Sequence, residues 1–156
     1  MKKGFSLIEL MVCVIIITVL TGLAMPYYFN AVQTTRNTEA VIWWNQVKRM
    51  ASRQNMTAER AARYERRVNE EGKLKYFTLK LFCRIKPGNE PCWEGELHVK
   101  NPSQHIQYFL ATQNNFMTLT CVPTNSAGES FCQGWTGRDE GPDTEIEGRP
   151  AYTVHF

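Results

Sequence analysis

Histidine is scarce in this chain of 156 residues, and its three copies, His98, His105 and His155, stand far from any second group that would complete a catalytic signature. G-x-S-x-G, H-E-x-x-H, P-loop and Rossmann fingerprints are missing, and no cysteine sits in a nucleophile motif. The sequence is therefore expected to form a surface rather than a reaction scaffold, with no catalytic residue and no cofactor. An excess of one charge is lacking as well. The net charge of +3 includes Lys2 and Lys3, and without the first four residues 16 basic side chains face 15 acidic ones. Such a balance argues against a generic nucleic-acid binder.

Charge is also nearly absent from one long stretch. The run FSLIELMVCVIIITVLTGLAM, Phe5 to Met25, has 21 residues, and as a helix it would span about 30 Å, the thickness of a bilayer core. Lys2 and Lys3 precede it, so the positive-inside bias keeps the N-terminus cytoplasmic and exports the chain beyond the run. Glu9 is the exception inside the run. An acidic side chain at that depth must be paired, hydrated or neutralised, which makes it a functional residue in search of a cation. No cationic side chain lies beside it, but cleavage after Gly4 would create an amine on Phe5, in the same chain or in a neighbouring copy. Snorkelling of Glu9 to the nearby surface is the plainer alternative.

These residues, KKGFSLIELMVCVIIITVL, resemble the N-terminus of type IV pilins and of the pseudopilins of type II secretion. In that family a short basic leader ends in glycine. A membrane peptidase cuts after it and methylates the new N-terminal phenylalanine, and a glutamate stands five residues into the mature chain. Gly4, Phe5 and Glu9 occupy those places. The resemblance implies a leader of residues 1–4, a membrane-spanning and polymerising helix of residues 5–25, and an outer domain of residues 26–156. It implies as partners further copies of the chain in a helical filament, the prepilin peptidase and methyltransferase, the assembly machinery of the inner membrane, and lipid. The subunit would wait as a single-pass inner-membrane protein and then enter an extracellular pilus. An ordinary secretory signal cut near Ala24 is the competing reading, and it would release a disulfide-stapled binding module. Glu9 counts against it, since a carboxylate weakens such a signal.

Pro26 is expected to kink or loosen the helix, with Tyr27, Tyr28 and Phe29 at the membrane interface. Beyond it Ala40, Trp43, Trp44, Val47, Met50 and Ala51 form a one-sided stripe that should pack on a sheet. Thr57 is placed to cap a second helix over Ala58 to Asn69. Strands are expected over 75–85, 95–100, 105–111 and 116–122, joined by short turns that favour an antiparallel sheet. The fold class is thus α+β, with a long N-terminal helix, membrane-spanning in its first half, packed on a C-terminal antiparallel β-sheet. This agrees with the pilin fold.

Lys48, Arg49, Arg53, Arg60, Arg63, Arg66 and Arg67 make one stretch basic, and Asp139, Glu140, Asp143, Glu145 and Glu147 make another acidic. Solvated faces are the first reading and contacts between copies the second, with DNA phosphates the weakest. Of five cysteines, Cys13 lies in the apolar run, while Cys83, Cys92, Cys121 and Cys132 lie beyond it. Four cysteines allow three connectivities, and the local choice, 83 with 92 and 121 with 132, suits an oxidising compartment. The C-x8-C and C-x10-C spacings lack the tight hairpin of a structural zinc site. The segment around Cys121 and Cys132 resembles the cysteine-bounded C-terminal loop of many type IV pilins, which major pseudopilins more often lack. The acidic residues of RDEGPDTEIEG do not follow the alternating order of a calcium loop, so no metal is expected.

Overall fold

The computed structural model describes residues 6–53, 56–85, 91–102, 105–137 and 141–155. Contacts divide the chain into two compact units, Met1–Thr35 and Arg36–Phe156. Helix α1, Leu7–Arg53, runs for 47 residues through the boundary between them, and Pro26 lies inside it. A proline there has no amide to donate to the carbonyl of Gly22, one turn back.

In the first unit the large apolar side chains between Leu7 and Met25 are 50–77% exposed. The most apolar window of the helix has a mean hydropathy of 2.6, and none of it is buried, so this helix is long and apolar enough to cross a membrane.

The second unit begins with the remainder of α1. Helix α2, Ala58–Glu70, starts at Thr57, whose side chain accepts the amide of Arg60. The sheet comprises β1 (Phe77–Ile85), β2 (Pro91–Val99), β3 (Tyr108–Gln113), β4 (Thr118–Pro123), β5 (Thr144–Ile146) and β6 (Arg149–Thr153). Its order is β1-β2-β3-β4-β6-β5, with every neighbouring pair antiparallel. The expected α+β fold is what forms, an antiparallel sheet behind a long N-terminal helix.

Strand alternation sorts the core into two layers. Phe77, Leu79, Leu97, Leu110 and Leu119 are fully buried on one face, and Trp43, Trp44 and Val47 of α1 are buried with them. Each such side chain contributes about 1.5–3 kcal/mol through burial. Met50, expected in the same stripe, is 40% exposed. On the other face Phe109, Ala111, Val122, Ile146 and Ala151 make a second cluster, so the β5–β6 hairpin covers what would otherwise be a wet surface.

Trp44 also fixes a turn. Its ring N–H donates to the carbonyl of Phe116 at 2.7 Å, while Trp43 meets the Phe116 ring edge-on at 6.5 Å. Asn114, Asn115 and Phe116, which lead from β3 to β4, all have positive φ. Asparagine tolerates this conformation, but a bulky residue such as phenylalanine rarely adopts it. Phe116 is held there because it is fully buried and its carbonyl is engaged.

The edge of the sheet at β1 is closed by side chains of α2. Asn69 donates to the carbonyl of Leu79 and accepts its amide, both at 2.9 Å, and Glu65 accepts the amide of Leu81 at 2.7 Å. Four helical residues rise about 6 Å, close to the two-residue repeat of a strand, so Glu65 and Asn69 meet alternate amides.

Three elements depart from expectation. Helix α3, Ser126–Thr136, occupies the segment expected as a cysteine-bounded loop, capped by Asn125 and ended at Gly137 with φ 70°. It sits so close to the chain before β3 that a Cβ on Gly128 would lie 2.0 Å from the Gln107 carbonyl oxygen. Strands β5 and β6 were not expected at all. In addition, β2 begins at Pro91, four residues before the expected Gly95.

Tyr108 joins the layers, donating from its hydroxyl to Asn37 of α1 at 2.6 Å. Burial pushes its phenol well above the ordinary value of 10.0, against the opposing influence of Asn37 and Arg36. The unfolded chain loses this proton near pH 10 and the folded chain only at higher pH, so the folded state holds more protons above pH 10 and stability falls there. Urea midpoints measured between pH 8 and 11 should decline above pH 10, and Tyr108→Phe should flatten that decline.

Candidate assembly site

The first turn of α1 is built by a reciprocal cap. The amide of Ser6 donates to Oε2 of Glu9 at 2.9 Å, and the amide of Glu9 donates to the Ser6 hydroxyl at 3.3 Å. This is a capping box, and its signature S-x-x-E stands in the sequence as Ser6 to Glu9, a signal that the expectations above leave aside. The arrangement satisfies two amides that a helix start leaves open, and it turns the carboxylate toward the helix N-terminus. Gly4 and Phe5, the expected cleavage and methylation residues, lie outside the described residues.

Farther along, Thr18 and Thr21 donate their hydroxyls to carbonyls within the helix, Ile15 and Ile17 respectively. The polar atoms of this apolar stretch are thus used internally, and its outward surface is left to aliphatic groups. Tyr27 and Tyr28, expected at an interface, are 78% and 65% exposed.

In the second unit the cysteines divide. Cys121 of β4 and Cys132 of α3 are joined by a disulfide, both buried, with their Cα atoms 5.6 Å apart. The bond ties a strand to a helix rather than bracing a loop. The expected Cys83–Cys92 bond is not formed. In the β1–β2 register Cys83 stands opposite Trp93 and Cys92 opposite Arg84. Side chains alternate faces along a strand, so the two cysteines point to opposite sides of the sheet.

The basic stretch separates between helices. On α2, Arg63 faces Glu59 at 4.0 Å, and Arg67 faces Glu71 at 3.8 Å, all at exposed positions. Of the acidic run, Asp143 accepts the amide of Thr153 at 2.8 Å, and Asp139 and Glu140 lie outside the described residues. Among the described residues no group of three or more His, Cys, Asp or Glu side chains gathers as a metal site would.

A long helix whose apolar half is uncovered, begun by a capped glutamate and followed by an α+β unit, defines a pilin-like chain. Residues 1–25 match the family described as the prokaryotic N-terminal methylation motif. The chain carries the class III leader of type IV pilins and pseudopilins, which are structural subunits and not an enzyme family. That motif implies processing by the prepilin peptidase and assembly into pili or pseudopili, after anchoring in a membrane. No curated protein and no solved structure matches the chain.

The disulfide closes a short loop, for which chain entropy sets a contribution of about 3 kcal/mol. Cys121→Ser and Cys132→Ser should each lower unfolding free energy by about that amount. The double variant should cost no more than either alone, in urea titrations of the full chain in detergent.

Proposed function

We propose that this chain is a structural subunit of a type IV pilus, made as a precursor, cut after Gly4 and methylated on Phe5. The observation that carries the reading is Glu9, an acidic side chain at the head of an uncovered apolar helix behind a methylation leader. Residues 1–4 are the leader, residues 5–25 the membrane span and polymerising helix, and residues 26–156 the outer domain. The subunit waits in the inner membrane and moves, helix first, into a bundle of like helices. That transfer keeps the apolar side chains out of water. Glu9 meets the amine of Phe5, and this pairing sets the register of assembly. Pro26 loosens the helix where subunits pack.

The Cys121–Cys132 bond supports the pilus over a type II secretion pseudopilus, because that family resemblance associates a C-terminal disulfide with pilins more than with major pseudopilins. A minor pilin that primes the filament would share all these features.

The intact mass and N-terminal sequence of the protein in sheared-surface and membrane fractions test the reading. The expected result is a chain beginning at methylated Phe5 in sheared filaments. The same chain held only in the membrane points to a pseudopilin or minor subunit, and a soluble chain starting near Met25 overturns the proposal. Glu9→Ala should leave membrane insertion intact and abolish filaments, and normal filaments from that variant would remove the role given to Glu9.

A further inference from the structure

The end of the second unit at which α1 enters it carries a cluster of cations. Arg36 is the first residue of that unit, and its guanidinium lies 5.3 Å from the centre of the Tyr76 ring. Lys75 lies 5.2 Å from the centre of the same ring. Lys100, where β2 ends, reaches across to the carbonyl of Leu74 at 2.6 Å, and its amide donates to the carbonyl of Tyr76 at 2.8 Å. Lys73 completes the group, 3.1 Å from Glu71.

Among the described residues, two carboxylates beside these cations are already engaged. Glu39 accepts the backbone amides of Lys75 and Tyr76. Glu71 is shared between Lys73 and Arg67. Lys73, Lys75 and Lys100 are exposed, so their charge is directed outward. Arg36 is half-buried and holds Tyr76 in place between the cations. The tethering points all belong to the α1–β1–β2 end of the fold, so the patch is fixed rather than spread along a solvated helix face.

We propose that this patch binds the phosphate groups of anionic lipids at the membrane surface while the subunit awaits assembly. The inference rests on the reading of residues 5–25 as a membrane span. The membrane is argued as the occupant by chain connectivity, because the helix that enters the unit at Arg36 is the one with the uncovered apolar surface. Positive charge near an anionic leaflet is attracted over about a Debye length, roughly 8 Å at physiological salt. Held in this way, the outer unit would be restrained on the surface it must later leave.

Hydrogen exchange of the full chain, one copy per lipid nanodisc, tests the proposal. Amides at positions 73–76 and 100 should exchange more slowly in discs containing phosphatidylglycerol than in pure phosphatidylcholine, by about fivefold for each lysine engaged. The difference should vanish at 1 M salt, where the Debye length is about 3 Å. It should also vanish in the Lys73→Gln, Lys75→Gln, Lys100→Gln variant and persist when the three are replaced by arginine. Unchanged exchange in β4 shows that the glutamine variant is folded. Equal rates in the two lipids overturn the proposal, as does slowing that appears only with several copies per disc, the mark of contact between subunits. The experiment needs no filament, so its failure leaves the pilus reading standing. Failure of the chain to insert in either disc overturns both.

Discussion

Water solvates the first half of α1 poorly, and none of the described residues covers it. From Leu7 to Met25 the large apolar side chains are at least half exposed, and a helix satisfies its own backbone, so the segment suits hydrocarbon or a bundle of equally apolar helices. Those two surroundings are nearly equivalent for aliphatic groups, which makes transfer between them easy. They differ for Glu9. Among the described residues its carboxylate accepts the amide of Ser6, and a helix bundle would add whatever cation its neighbours bring. The one acidic group in this apolar run is therefore what can distinguish one arrangement of copies from another.

The second unit meets the opposite demand, since its polar exterior suits water. Its core is clamped at several separate points. The tryptophan pair of α1 holds the left-handed turn at Phe116, Tyr108 links α1 to β3 through Asn37, and a covalent bond joins β4 to α3. The β5–β6 hairpin covers the far face. The disulfide belongs with an oxidising compartment, in keeping with export of everything beyond the apolar run. Two physical regimes thus share one helix, and its side chains change character where the second unit begins.

The features that were legible in the sequence are those with a strong period or a strong local signal. The apolar run, the tryptophan stripe and the Thr57 cap of α2 all appear where expected, and four strands follow from alternation. Helix α3 was hidden because Gly128 and Gly134 depress helix propensity within only 11 residues. Tertiary packing overrides that weakness: Gly128 is needed for the close approach to Gln107. Strands β5 and β6 are short and contain or adjoin Pro142 and Pro150, so alternation had little length in which to show. The mistaken Cys83–Cys92 pairing has a different origin. Sequence spacing says nothing of register, and a shift of one residue exchanges the faces of a strand. At the assembly site Glu9 stood out by its charge, while Ser6 passed unnoticed because its hydroxyl acts only once a helix start is defined.

The side chains of Glu65 and Asn69 along β1 also limit how a neighbouring molecule can add to the sheet. A sheet with an open edge can be extended by a strand from another molecule, and polymers made that way share a continuous hydrogen-bond ladder that must be broken strand by strand. Here that edge is occupied from within by α2 at Leu79 and Leu81, and the opposite edge, β5, is only three residues long. Joined through their helices as proposed above, such bodies would form a stack of closed parts rather than a shared ladder.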